Sequence, residues 1–313
     1  MKLGRYSFHC SMADGCRIPR YKGSVFRGAF GHALKKVCCA VRIKDCLACL
    51  LSERCIYSKV FELRPHRSDN GRPRVAAPPH PYVIEPPLDT DTELTQGKNF
   101  DFNLLLFGAV NEYLPYFIYA VEQMGGQGIG RRADGKRARF KLKKVTAQGK
   151  VVYLQGEERI RSIPPTSELV LSEPHPANGT LTLELTTPLR MKWSNRYQAD
   201  LPFHLLARAM LRRISSLFAA HDNGEPALDY KALVARSHEV KTVESRLRWL
   251  DIRRYSNRQE QALLMGGMVG NVTYQGDLGE YLPLMEVSRA VHLGKQTSFG
   301  LGKIDFTWQG EIR

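Results

Sequence analysis

The sequence predicts an α+β protein built from two halves with the same order of elements. Three observations carry that prediction. Each half opens on alternating apolar and polar residues, Leu3–Met12 in the first and the run from Thr180 in the second. Each then shows apolar residues at helical spacing: Phe26, Phe30, Ala33, Leu34, Val37 and Val41, and later Leu206, Met210, Ile214, Leu217 and Phe218. Each closes on a glycine run followed by strand-like sequence, Gly125–Gly130 and Gly294–Gly302. Strand, helix, strands, helix, glycine loop, strand is the βαββαβ plan. The chain therefore reads as tandem ferredoxin-like domains with antiparallel sheets. Pro164, Pro165, Pro174, Pro176 and Gly179 mark the division, giving an N-terminal domain over 1–176 and a C-terminal domain over 177–313.

Taken in order, residues 3–12 form the first strand, and Ser24 can cap a helix over roughly 25–42. The proline- and arginine-rich stretch 63–98 wraps the surface around a short strand near Tyr82–Ile84. Phe100–Phe107 is a strand, and a helix covers about 113–124, with Pro115 in its first turn where a missing N–H is tolerated. Strands follow at Ala138–Val145 and Lys150–Gln155. In the second half a strand begins at Thr180, and a helix runs from about Pro202 to Ala220 with Asp200 as candidate cap. Strands are expected within 240–255 and 267–275, a helix near 280–292, and a last strand at Lys303–Trp308.

The charge balance narrows the function. Lys and Arg number 46 against 31 acids, a net charge of +15 over 313 residues. A surface this basic calls for a polyanionic partner, nucleic acid first and an anionic membrane second. Nothing supports the membrane: there is no basic amphipathic terminal helix, and no apolar run reaches the roughly 18 residues of a span. Met1–Tyr6 leads straight into strand sequence without an apolar leader, so a cytoplasmic protein is expected.

Seven cysteines in such a chain argue against a disulfide framework. Five of them fall between Cys38 and Cys55. Cys46 and Cys49 have knuckle spacing, and Cys55 with Cys39 or Cys38 can complete a closed, structural zinc site. The alternative is buried thiols acting as small apolar residues.

Arg131, Arg132, Lys136, Arg137, Arg139, Lys141, Lys143 and Lys144 form a run broken by one acid, Asp134. On a strand, Arg139, Lys141 and Lys143 share a face and can follow an RNA backbone. In the C-terminal loop, Gly294, Gly300 and Gly302 permit positive φ and close backbone approach, so N–H groups can hold phosphate oxygens. Lys295 and Lys303 add charge, and Thr297 and Ser298 add hydroxyl donors. The loop is no Walker motif, because no G-K-[ST] closes it before a helix.

This loop resembles the C-terminal glycine-rich loop of the RAMP proteins. The whole chain is similar to the CRISPR repeat-processing endoribonucleases of that superfamily. Three further stretches carry the resemblance: Gly23–Leu34 on the first helix, the cysteine group ending in Cys55–Glu62, and Gly125–Arg132. One departure is that many relatives open the loop with Gly-x-Gly, where this chain has His292-Leu293-Gly294. The resemblance implies tandem RNA-recognition-like domains that cut CRISPR precursor RNA within its repeats. Cleavage by 2′-hydroxyl attack, leaving 5′-hydroxyl and 2′,3′-cyclic phosphate ends and needing no metal cofactor, is also implied. The partners implied are repeat RNA and, for some relatives, subunits of a CRISPR effector complex; a non-catalytic RNA-binding subunit is the competing reading.

Helical geometry offers His32 as the catalytic residue, since it points away from the apolar stripe with Gly28 one turn before it. Histidine suits proton transfer near neutral pH. Lys36, with Lys35 second, can stabilise transition-state charge, and Tyr21 can orient or assist. Arg27 and Lys35 are assigned to RNA contact on the same helix. His9 and His292 are the other catalytic candidates, while His66, His80, His175, His221 and His238 are expected on the surface.

Overall fold

The computed structural model describes residues 1–42, 45–46, 48–63, 78–162, 164–256 and 261–312. They form two compact units, Met1–Glu168 and Leu169–Arg313. Each unit is ferredoxin-like. His66 lies outside the described residues.

The first unit runs β1 (Lys2–Met12), β2 (Cys16–Arg17), α1 (Gly23–Cys38), α2 (Ile56–Phe61), β3 (Tyr82–Glu85), β4 (Glu93–Leu94), β5 (Asn99–Phe107), α3 (Leu114–Gln127), β6 (Phe140–Ala147), β7 (Lys150–Leu154) and β8 (Ser167–Glu168). A 3-10 turn, Gly108–Tyr113, precedes α3. The main sheet has the order β3-β5-β1-β6-β7, with antiparallel pairing throughout. Alternation on β1 sends Tyr6, Phe8, Cys10 and Met12 into the core. Phe8 lies opposite Phe102 and Val145. Helices α1 and α3 cover this face: Phe26 meets Phe100 and Phe102, and Phe30 meets Tyr82 and Phe117. Burying such a side chain is worth about 1.5–3 kcal/mol.

Two local differences from the expected elements have clear causes. Helix α1 starts at Gly23, so Ser24 lies inside it; the cap position is Lys22, which makes no side-chain cap bond. The Lys22 ammonium is buried instead against Asp89, 3.0 Å from Oδ1. The helix stops at Cys38 because Cys39 is extended, which leaves Val41 exposed rather than on an apolar stripe. On β6 the register with β1 slips, so that His9 faces Lys144 and Cys10 faces Leu142. Lys143 is the extra residue of this bulge. Lys143 and Lys144 both reach solvent, and Val145 turns back into the core.

The second unit runs β9 (Ala177–Leu189), α4 (Phe203–His221), α5 (Tyr230–Arg236), β10 (Lys241–Ser245), β11 (Arg248–Leu250), β12 (Arg253–Ser256), β13 (Gln261–Leu264), β14 (Gly267–Asp277), α6 (Leu282–Val291) and β15 (Ile304–Ile312). Its sheet order is β10-β14-β9-β15, with β11 beside β14 and β12-β13 as a separate hairpin. Residues 169–176, expected in the first domain, lead into β9. Helix α4 is preceded by Pro202 and not capped by Asp200. The short α5 is not among the expected elements; Asp229 caps it by accepting the Ala232 N–H. Leu181, Leu183 and Leu185 of β9, Met210, Ile214 and Leu217 of α4, and Met285 of α6 are all buried. No helix among the described residues is long and apolar enough to cross a membrane.

Candidate functional site

Helix α1 presents its catalytic candidates on an open strip. Gly28, His32 and Lys36 recur every four residues, and all three are exposed. A Cβ built on Gly28 would meet no heavy atom within 4 Å, so space lies beside the His32 imidazole. The flanking residues are more constrained. Lys35 is half-buried, with its Nζ 5.4 Å from the Tyr57 ring centroid. Arg27 lies over the Phe61 ring at 5.2 Å and donates to His80 Nε2 at 3.3 Å. His80, expected as a plain surface residue, is held with Nδ1 2.9 Å from the Val60 carbonyl. Tyr21 is half-buried just ahead of the helix, and desolvation pushes its phenol pKa far up.

The other two histidine candidates sit differently. His292 is fully buried, with Nδ1 3.0 Å from the Leu301 carbonyl. His9 lies on the solvent side of β1, partly exposed. Its Nδ1 is 3.0 Å from Asp101 Oδ2 and its Nε2 is 3.0 Å from Thr146 Oγ1. His238 is exposed but stacks on His204, with ring centroids 4.2 Å apart.

The basic run begins where α3 ends. Gly128 and Gly130 take positive φ, and the chain returns through the bridge Ile129–Ala138. Arg131, Lys136, Arg137, Lys141, Lys143 and Lys144 are exposed. Arg132 and Arg139 share an acid, Asp14, that no sequence pattern singles out. Asp14 accepts from Arg139 Nε at 3.0 Å and lies 3.5 Å from Arg132. The hydrogen bond from Arg139 is the main reason its pKa falls to about 2.

The C-terminal glycine loop is a packed knot more than an open cradle. The Thr297 and Ser298 side chains are buried, as are Gly300 and Gly302. Lys295 N–H donates to Arg190 O, Gly300 N–H to Thr297 O, and Gly302 N–H to Pro188 O. Thr187 Oγ1 accepts from Lys303 N–H and donates to Gly300 O, each at 2.8 Å. Phosphate contact through those N–H groups, as the sequence suggested, therefore finds them already used; Gly294 and Lys295 are the exposed part, and Lys303 is half-buried. A second residue missed in the sequence secures the loop. Arg213 on α4 is buried and donates through Nε and Nη2 to the carbonyls of Val291 and His292. These are the last carbonyls of α6, where a cation suits the helix dipole. Burial lowers its pKa to about 10.

The structure gives the zinc expectation no support. Among the described residues no three histidine, cysteine, aspartate or glutamate side chains stand where they could hold a metal ion. Cys39, Cys46, Cys49 and Cys55 are free thiols, and Cys46 is buried. Cys38, Cys39, Cys49 and Cys55 are half-buried.

A family model described as an N-terminal domain matches residues 1–165, and that of the CRISPR-associated endoribonuclease Cas6 matches residues 183–304. An uncharacterized protein of Archaeoglobus fulgidus is 25% identical over 293 residues, covering 91% of each chain. Among solved structures, a Cas6 product complex superposes with a TM-score of 0.57 at 16% identity, covering 98% of this chain and 99% of that one. Thermus thermophilus Cas6 superposes with a TM-score of 0.56 at 14% identity, covering 98% of both. These two likenesses are of fold, and they agree with the tandem ferredoxin-like units found here. The N-terminal unit thus falls in the family of that N-terminal domain, and residues 183–304 of the C-terminal unit are similar to the CRISPR-associated endoribonuclease Cas6.

Proposed function

We propose that this protein cuts CRISPR precursor RNA within its repeats by metal-independent transesterification on the open strip of α1. The observation that carries the reading is His32 exposed beside the bare surface of Gly28, with the Lys36 ammonium one turn further on. The 2′-oxygen bonds to phosphorus as the bond from phosphorus to the 5′-oxygen breaks. The products are a 2′,3′-cyclic phosphate and a 5′-hydroxyl. His32 takes the 2′-hydroxyl proton, and solvent protonates the leaving oxygen. Lys36 stabilises charge on the pentavalent phosphorus. Tyr21, whose phenol stays protonated, can donate a hydrogen bond but is no base. Arg131, Arg137, Lys141, Lys143 and Lys144 grip the phosphates of the repeat, as the exposed basic run suits. Arg27 and Lys35 border the strip and line the RNA path.

The test is cleavage of the repeat RNA in EDTA, beside His32→Ala and an RNA with 2′-deoxyribose at the cut site. A single cut is expected, abolished by the deoxy substitution and slowed about 10²–10⁴-fold in the variant. A cut of undiminished rate in His32→Ala moves the proton transfer to His9, which already has Asp101 and Thr146 at its two nitrogens. Tight binding without any cut overturns the nuclease reading in favour of an RNA-binding subunit.

A further inference from the structure

The segment between β9 and α4 carries an exposed aromatic and cationic surface that the proposed reaction does not use. It begins with a tight turn. Trp193 and Arg196 exchange N–H···O bonds of 3.0 and 2.9 Å around Ser194 and Asn195, which have φ of 46° and 60°. Positive φ at both central residues is the type I′ hairpin geometry, which fixes the side chains on either flank. Trp193 is 41% exposed and Tyr197 37%. Trp249 lies beside Tyr197, the two ring centroids 5.6 Å apart. On the other side the Trp193 ring meets His204 edge-on at 5.9 Å, and His204 stacks on His238.

Cations surround these rings. The Arg190 guanidinium lies 4.1 Å from the Tyr197 centroid, Lys192 Nζ lies 5.2 Å from it, and Arg208 lies 5.9 Å from Trp193. Arg190 is fixed in place: its Nη1 donates to Gly266 O at 2.6 Å, and its own carbonyl accepts the Lys295 N–H at 2.8 Å. The surface is thus continuous with the exposed Gly294–Lys295 corner of the glycine loop.

Flat rings open to water beside fixed positive charges match a ligand that offers both flat faces and regularly spaced anions. Nucleic acid does so when its bases are unpaired; in a duplex the base faces are covered by their neighbours. We infer that Trp193 and Tyr197 form a stacking platform for unpaired nucleotides of an RNA strand, with Arg190, Lys192 and Arg208 meeting its phosphates. The inference rests on the RNA-binding reading and adds to it a subsite on the C-terminal unit for single-stranded RNA.

The test uses the full chain and a labelled decamer of adenylate, with a blunt RNA hairpin as the paired control. The chain has three tryptophans, two of them in this cluster, so intrinsic fluorescence reports occupancy. The decamer is expected to quench it. Trp193→Ala with Tyr197→Ala should weaken decamer binding at least about tenfold, since stacking is energetically substantial per base. Hairpin binding should change less than about twofold, because phosphate contacts dominate it. Trp193→Phe with Tyr197→Phe keeps a ring at each position and should retain most of the decamer affinity, with a thermal melt like that of the parent. Unchanged decamer binding in the double alanine variant overturns the platform, as does equal loss for decamer and hairpin. If the parent cuts repeat RNA but the double alanine variant binds the decamer normally, the platform alone falls. If the parent cuts nothing yet the decamer results hold, the nuclease reading falls and the platform stands.

Discussion

Asp14 is held to Arg139 across 125 residues of sequence, and no local pattern announces that contact. It exists because the turn after β1 and the entry to β6 lie side by side in the sheet. The Arg139 hydrogen bond lowers the Asp14 pKa to about 2, below an ordinary aspartate value of about 4. The folded state therefore gains from the ionised carboxylate above about pH 4, and that gain disappears as pH falls toward 2. An NMR titration of the Asp14 carboxyl carbon should show a midpoint near 2 that rises in Arg139→Gln. Asp14→Asn frees Arg139 and leaves Arg132 paired with Asp134 alone, so RNA affinity at low salt should increase; a decrease would show that the ion pairs order the RNA-binding surface. Arg213 is equally hard to read. It lies three residues after Met210 and four before Leu217, on the apolar side of α4, among residues whose spacing alone reads as a hydrophobic stripe. Arg213→Met strips the Val291 and His292 carbonyls of their buried donor and should cost about 1–3 kcal/mol in a denaturant melt. The catalytic candidate is more legible, because helical spacing alone sets His32 opposite Phe26, Phe30 and Leu34.

At the scale of elements, the glycines separate two kinds of requirement. Gly149, in the turn between β6 and β7, has φ +75°, and an added Cβ would meet nothing within 4 Å. Gly302 has φ +73°, but its Cβ would fall 1.8 Å from the Leu293 carbonyl oxygen. Gly149→Ala should therefore cost only about 1–2 kcal/mol of left-handed strain. Gly302→Ala adds a backbone collision and should lower the thermal midpoint far more, a ranking that paired melts check. The sequence pointed to glycines that permit close approach, and the approach is real; its object is the protein's own backbone. Element types were legible because periods of two and 3.6 differ clearly. Their ends were less so. The α1 start adjoins the buried Lys22, which pairs with the exposed Asp89, and the β6 bulge depends on pairing with β1, neither of which is local.

For the whole molecule, repetition was the strongest signal, since both halves carry the same βαββαβ order and both fold accordingly. The charge excess was equally plain, but which cations stay available was not. Pairing commits Arg132 and Arg139 to Asp14, while Lys141, Lys143 and Lys144 remain at the surface of β6. Replacing these three lysines by alanine should weaken repeat RNA binding and flatten its salt dependence. The log–log slope should fall by about 0.7–0.9 for each phosphate that is no longer neutralised. An unchanged slope would place the RNA backbone elsewhere. The chemistry of the cut ends bears most directly on the proposed reaction. Repeat RNA incubated with the protein in EDTA and analysed by mass spectrometry should yield an upstream fragment ending in a 2′,3′-cyclic phosphate and a downstream fragment beginning with a 5′-hydroxyl. A 3′-hydroxyl paired with a 5′-phosphate, or a cut seen only after a divalent cation is restored, would contradict 2′-hydroxyl attack.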